Sequence, residues 1–127
     1  MRKEVVYVSG PMLNHPNHNK GYFNRVTKLL RKVGYTVINP VELDTIYKFR
    51  KKKPEWSDFI IRDIKIILNK KVSMIVLLED WGKSKGSKAE IYIGKEVLNA
   101  KIKEFKEYDN KWELIDVDIK TEVSVNG

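Results

Sequence analysis

The sequence contains no cysteine, which excludes disulfides, thiolate zinc centres and cysteine nucleophiles. No apolar run approaches the roughly 20 residues that a bilayer-spanning helix needs, so no membrane partner is expected. Histidine is scarce as well. His15 and His18 share one polar loop with Asn14, Asn17 and Asn19, and two ligands at that spacing without a third make a poor metal site. They read as mobile surface residues, and no metal is expected. Met1-Arg2-Lys3-Glu4 leads straight into a short apolar stretch, without the h-region or cleavage site of a signal peptide. A cytoplasmic setting is therefore the expectation. No repeat, low-complexity tract or linker interrupts the chain, so its 127 residues read as one domain, residues 1–127, with a core over 4–118.

What is abundant is positive charge. The formal net charge is +8, and Lys48, Arg50, Lys51, Lys52 and Lys53 are clustered. Such a patch attracts nucleic acid, phosphorylated small molecules or an acidic partner, and it also reads as a solvated loop in a lysine-rich chain. The nearby aromatics Tyr47, Phe49 and Trp56 form no recognisable single-strand-binding motif. Nucleic acid is thus not the expected partner.

The hydrophobic pattern alternates between strand and helix. Val5–Ser9 is a β-branched run stopped by Gly10-Pro11. Phe23, Val26, Leu29, Leu30 and Val33 recur at helical spacing between Gly21 and Val33, and Gly34 closes that helix. Tyr35–Asn39 reads as a second strand stopped by Pro40, followed by a long basic connection with a helical turn near Leu43–Phe49. A second long helix is predicted over Trp56–Asn69, with Trp56, Phe59, Ile60, Ile64 and Ile67 inward. Val72–Leu78 is the most hydrophobic segment and reads as a central parallel strand. Ser87 is expected to cap a third helix running to Ala100. A strand at Ile102–Phe105, a turn at Asp109-Asn110, a strand at Trp112–Val117 and a frayed end complete the chain. This alternation predicts an α/β fold, a three-layer sandwich with a mostly parallel, Rossmann- or flavodoxin-like sheet and helices on both faces.

In such sheets ligands bind at the carboxyl ends of the strands. Two loops fall there, Ser9-Gly10-Pro11-Met12 and Glu79 to Ser87. Gly10 allows close backbone approach to a ligand, and Gly86 does so beside a helix N-terminus suited to a phosphate or carboxylate. A glycine-rich turn needed only for chain reversal is the plainer alternative. Gly82-Lys83-Ser84 superficially resembles a P-loop ending, but Leu77 stands where that motif needs its first glycine. Two carboxylates sit on otherwise apolar faces. Asp63 shares a face with Ile60 and Ile67, and Glu90 shares one with Ile93, Gly94 and Val97. Acidic residues are seldom buried without partners. Placed in the first helical turn, Glu90 would stay ionised, as a nucleophile needs, while Asp63 in a more apolar setting would hold a proton to donate. Singly, each also reads as an ordinary dipole or salt-bridge residue. Tyr7 reads as strand core, or as a hydroxyl that orients a carboxylate.

The set Tyr7-Val8-Ser9-Gly10-Pro11-Met12, Asn39-Pro40, Trp56-Ser57-Asp58, Arg62-Asp63 and the run from Asp80-Trp81 through Ser84, Gly86 and Ser87 to Glu90 resembles the nucleoside 2-deoxyribosyltransferase superfamily. The nearest likeness is to a small, often phage-encoded branch, related to deoxynucleoside 5′-monophosphate N-glycosidases. The resemblance implies Glu90 as the glycosyl-accepting nucleophile, Tyr7 as the group steadying it and Asp63 as the group assisting departure of the base. It implies substrate binding by Ser9, Gly10, Pro11, Asp80, Trp81, Ser84, Gly86 and Ser87. Ser84 resembles the phosphate-contacting serine of the monophosphate hydrolases, whereas Gly10-Pro11 resembles the transferases, so both substrate classes stay open. No cofactor is implied, and a homo-oligomer is. The alternatives are a catalytically silent nucleotide-binding module and, behind it, a basic nucleic-acid-binding protein.

Overall fold

A computed structural model describes residues 4–13, 15–50 and 52–119. Residues 1–3, Asn14, Lys51 and the closing residues 120–127 lie outside the described residues. Five strands, β1 (Val5–Ser9), β2 (Thr36–Ile38), β3 (Met74–Leu77), β4 (Lys101–Tyr108) and β5 (Lys111–Asp116), form one sheet in the order β2-β1-β3-β4-β5. The first four are parallel, and β5 returns antiparallel to β4. The hairpin between them turns on Asp109 and Asn110, both at positive φ. That geometry matches the twist of the flanking strands, and Asn and Asp tolerate it.

Helix α1 (Lys20–Lys32) packs on one face of the sheet. Helices α3 (Trp56–Asn69) and α4 (Lys85–Glu96) pack on the other. Side chains alternate along a strand, and the alternation divides the core in two. Val6, Val8, Met74, Val76 and Leu78 meet Phe23, Val26 and Leu30 of α1. Tyr7, Ile75 and Leu77 meet Ile67 of α3 and Ile91 of α4. The single domain is thus the three-layer, Rossmann-like α/β sandwich that the strand-helix alternation predicts. None of the described helices is long and apolar enough to cross a membrane.

The ends of α1 follow local chemistry. Gly34 adopts φ 105°, Tyr35 N–H donates to the Leu30 carbonyl at 3.3 Å and Gly34 N–H to that of Arg31 at 3.0 Å. This is the paired C-terminal closure that a left-handed glycine permits.

Three boundaries differ from the sequence reading. Pro40 does not merely stop β2: it opens a helix, α2 (Pro40–Ile46). Asn39 supplies the cap, accepting from Val41 N–H at 3.0 Å, and proline at the first helical position has its φ preset. The cap of α4 is Ser84 rather than Ser87, since Ser84 Oγ accepts from Ser87 N–H at 3.1 Å. The same helix ends at Glu96, short of Ala100, where the chain turns left-handed at Asn99. Trp56 is about half exposed instead of inward, because the first turn of α3 carries no buried residue and only Asp63 and Ile67 of this helix are buried.

Gly10 has an internal reason for its identity. A Cβ there would stand 2.8 Å from Leu78 Cβ, closer than packed carbons approach. The backbone at Gly10 is thus pressed against the continuation of β3. Gly10→Ala is expected to destabilise the fold by about 1–3 kcal/mol through overpacking. Urea unfolding should show a lower midpoint at unchanged slope.

Candidate active site

β1 and β3 are neighbours whose following helices lie on opposite faces of the sheet. The chain therefore diverges at their carboxyl ends, which is where open α/β sheets bind ligands. On β1, Tyr7 and Ser9 are two residues apart and so share the face turned toward α3 and α4. Both are buried, and their hydroxyls converge on Glu90 of α4. Tyr7 O–H lies 2.5 Å from Glu90 Oε2, and Ser9 O–H donates to Oε1 at 2.7 Å. Ser9 Oγ is also 2.8 Å from Ser87 Oγ. Ser9 has one hydroxyl hydrogen, which goes to the carboxyl group, so Ser87 is the donor of that second contact. Ser87 N–H in turn is held by the Ser84 cap. A continuous polar chain therefore runs from the α4 cap to Glu90.

Asp63 reaches the same region from α3. It interacts with the Tyr7 hydroxyl and its charge is felt by Glu90. Its near partner is Arg62, whose Nε donates to Asp63 Oδ1 at 2.9 Å and whose Nη2 lies 2.8 Å from the same oxygen. Arg62 Nη1 donates to Asp44 of α2 at 2.7 Å. The guanidinium also stands over the rings of Phe49 and Phe59, 5.6 and 5.4 Å from their centroids. Those two rings meet edge to face at 4.8 Å.

The electrostatics correct one expectation. Glu90 is not in the first turn of its helix; it lies six residues past the Ser84 cap, in the second turn. The helix-terminal field falls off within the first turn, and burial dominates instead. Burial pushes the Glu90 carboxyl up to about 8, with the negative charge of Asp63 adding to it, against the Tyr7 and Ser9 hydrogen bonds and Arg62. Asp63 is also raised by burial, while Arg62 and Tyr7 pull it down. Tyr7 is held well above its usual value by burial and then by the two carboxylates, so it remains a donor. Burial thus favours the protonated form of both acids, and Arg62 opposes it at each.

The other expected site residues divide. Ser84, Gly86 and Ser87 lie together at the start of α4, where a Cβ on Gly86 would meet Ile60, Ser84 and Trp56 at ordinary contact distance. Trp56 carries the Lys85 ammonium over its ring at 4.9 Å. Trp81 packs against the core on the α3 and α4 face. Ser9 donates to Glu90. Pro11 is buried, and its carbonyl accepts from Asn19 Nδ2 at 3.0 Å. Asp80 is exposed, left-handed at φ 65°, and faces Lys83 at 3.9 Å. Neither Pro11 nor Asp80 joins the hydrogen-bonded group. Two depressions flank α1, one of about 190 Å³ lined by Asn24, Thr27 and Asn39, the other of about 510 Å³ lined by Tyr22, Arg25 and Glu79. The acid pair lines neither.

Sequence reasoning missed Asp44, Phe49 and Phe59. Asp44 and Phe49 are distant in sequence from the pair and meet Arg62 only through the course of the chain after β2, whereas Phe59 lies one turn before Arg62 on α3. That Tyr7 and Ser9 share a face was legible, because they are two apart on one strand.

A family model described as Domain of unknown function (DUF4406) matches residues 4–104. The chain belongs to that family. The match runs from the residue before β1 into β4, so every residue of the polar group falls inside it and β5 falls outside. No curated protein matches the chain.

Protonation of Glu90 has a measurable consequence for stability. The folded chain keeps a proton on this residue from about pH 4.5 to about pH 8, where the unfolded chain has released it. Wild-type stability therefore falls as pH rises through that window, by about 1.4 kcal/mol per pH unit at most. Glu90→Gln, which mimics the protonated acid and does not titrate, is expected to gain a few kcal/mol on wild type between pH 5 and pH 8. Melting temperatures at the two pH values report this; an equal difference at both would contradict a Glu90 proton held by burial.

Proposed function

We propose that this protein cleaves or exchanges the N-glycosidic bond of a (deoxy)nucleoside or nucleoside 5′-monophosphate through a covalent glycosyl-Glu90 intermediate. The observation that carries the reading is a buried glutamate with a hydroxyl on each oxygen and a second carboxyl group beside it, at the strand ends where the sheet diverges. A carboxylate held in that way has one orientation and little water around it, as nucleophilic attack requires.

The reaction is a retaining glycosyl transfer in two steps. Ionised Glu90 forms a bond to the anomeric carbon as the bond from that carbon to the base nitrogen breaks. The bonding pair leaves with the base, which takes a proton from Asp63. The second step reverses the first: water or an incoming base attacks the anomeric carbon, Asp63 recovers the proton and Glu90 is released. Water makes the protein a hydrolase, and a second base makes it a transferase. Tyr7 and Ser9 hold Glu90 throughout. Ser84, Gly86 and Ser87 at the start of α4 present the sugar 5′ end with hydroxyls and backbone N–H groups, which suit a hydroxyl or a phosphate. The chain acts in the cytoplasm as a homo-oligomer in this reading, without a cofactor.

A second reading is a catalytically silent nucleotide-binding module, favoured by the burial that raises the Glu90 carboxyl and disfavours its ionised, nucleophilic form. Both readings meet the same assay. The protein is incubated with a panel of deoxynucleosides and their 5′-monophosphates, with and without an acceptor base. Base release or exchange is expected, falling by about a thousandfold or more in Glu90→Ala, as loss of a nucleophile does. Tight ligand binding with no turnover across the panel would instead establish the silent module.

A further inference from the structure

The two helical layers of the sandwich differ in what they show to solvent. On α1 the outward residues Asn24, Arg25, Lys28 and Lys32 are exposed and polar, as befits a solvated amphipathic helix. The other layer is apolar outside as well as inside. Only Asp63 and Ile67 of α3 are buried, yet its outward stripe is Ile61, Ile64 and Leu68, of which Ile61 and Leu68 are exposed. Beside it on α4, Tyr92 is exposed, as is Val97 at the helix end. Gly86 lies against Trp56 and Ile60, so the two helices start together and run side by side. Helical spacing then puts Ile64 and Ile93, both half-buried, along the seam between them. A contiguous apolar patch of this kind marks a surface that another protein covers.

We propose that this face seats a second copy of the chain, α3 against α3 and α4 against α4, antiparallel about a two-fold axis beside Tyr92. The proposal names the surface of the oligomer in the glycosyl-transfer reading and rests on that reading for nothing else. Charge complementarity selects a copy of the chain itself. Helix α3 begins acidic, at Glu55 and Asp58, and is followed by Lys70 and Lys71; α4 begins basic, at Lys85 and Lys88, and ends at Glu96. Lys95, in the same last turn of α4, is turned away to the Ile119 carbonyl. Reversing each helix against its own copy therefore sets opposite charges together at both ends, and it also opposes the helix dipoles. The registers agree. Ile61 and Leu68 are centred between residues 64 and 65, while Lys88 and Glu96 are centred on Tyr92. Since Gly86 stands beside Trp56 and Ile60, Tyr92, six residues on, stands level with Ile64. One axis thus serves both helices: Ile61 meets Leu68 of the second copy, and Lys88 meets its Glu96. Lys65 lies on the flank of the α3 stripe away from α4, where a lysine stem covers apolar surface while its ammonium stays in water. At about 1.5 Å of rise per residue and about 10 Å of width per helix, the two helices present roughly 400 Å². A standard interface takes about 800 Å² from each partner, so a dimer that dissociates in the micromolar range is expected.

The test is sedimentation velocity on the full-length chain from about 1 to 500 µM, the range in which so small an interface assembles. The mass should rise with concentration from 14.9 kDa toward twice that value. Ile61→Asp and Tyr92→Asp each bury an unpaired carboxylate in the contact and should weaken the dimer by about a hundredfold or more. They lie on different helices, and either alone decides if the other does not fold, which circular dichroism reports. Val33→Asp, at an exposed apolar residue just past α1, should leave the dimer unchanged. Lys88→Glu sets like charges together at two symmetric places and should weaken it roughly tenfold; adding Glu96→Lys should restore it. A wild type that stays monomeric across the range overturns the proposal and leaves the face to a partner of another kind. So does a dimer that the folded Asp variants leave intact, or one that the charge exchange does not restore. Sedimentation needs no substrate, so the two ideas fail separately. A dimer without turnover retires the enzyme and keeps the interface; turnover by a monomer does the reverse.

Discussion

A carboxyl group enclosed between a parallel sheet and the helix above it constrains much of this protein. Removing Glu90 from water is costly unless hydrogen bonds replace those lost. The replacements come from β1, where Tyr7 and Ser9 each place a hydroxyl on one oxygen. That demand sets the residues of β1 on one face only. The opposite face of the same strand is free to be Val6 and Val8, which pack against α1. It also sets the approach of α4. Gly94 lets the helix settle onto Ile75, where a side chain would collide with the isoleucine, and Ser84 fixes where the helix begins. One turn of slippage at that cap would carry Glu90 away from both hydroxyls.

The second acid is handled differently. Asp63 is held chiefly by Arg62, its neighbour on α3. Arg62 in turn depends on α2 and the loop after it, through Asp44 and Phe49. Two acids a short distance apart thus answer to different parts of the chain, Glu90 to the rigid sheet and Asp63 to a peripheral segment. Such asymmetry is how environments push paired carboxyl groups toward different roles. It gives the basic stretch near Lys48 a structural link to the site, which its charge alone does not explain.

Much of the architecture was legible. The β-branched runs, the helical spacing from Phe23 to Leu30, Gly34 and the Asp109-Asn110 turn are local signals, and local sterics settle them. The helix at Pro40–Ile46 was misread because Pro40 ends a strand and opens a helix equally well, and only the Asn39 cap decides between them. Trp56 was misread because periodicity reports a face, not how far the helix overhangs its support. In the site, Tyr7, Asp63 and Glu90 were singled out by their chemistry on apolar faces. The hydrogen bond from Ser9 to Glu90 joins residues 81 apart, which no local pattern records.

The sequence by itself determined which residues are apolar and in what period, and so the strands, the helices and the two acids that break their faces. Those features depend on neighbours within a turn or two. The protonation of the acids was decided by tertiary structure alone. A carboxyl's affinity for its proton depends on the water removed from it and on charges brought near it from distant segments. Glu90 is raised by burial and by Asp63, and Asp63 is pulled down by Arg62. No pattern along the chain records how deeply a side chain will lie, or which cation will reach it.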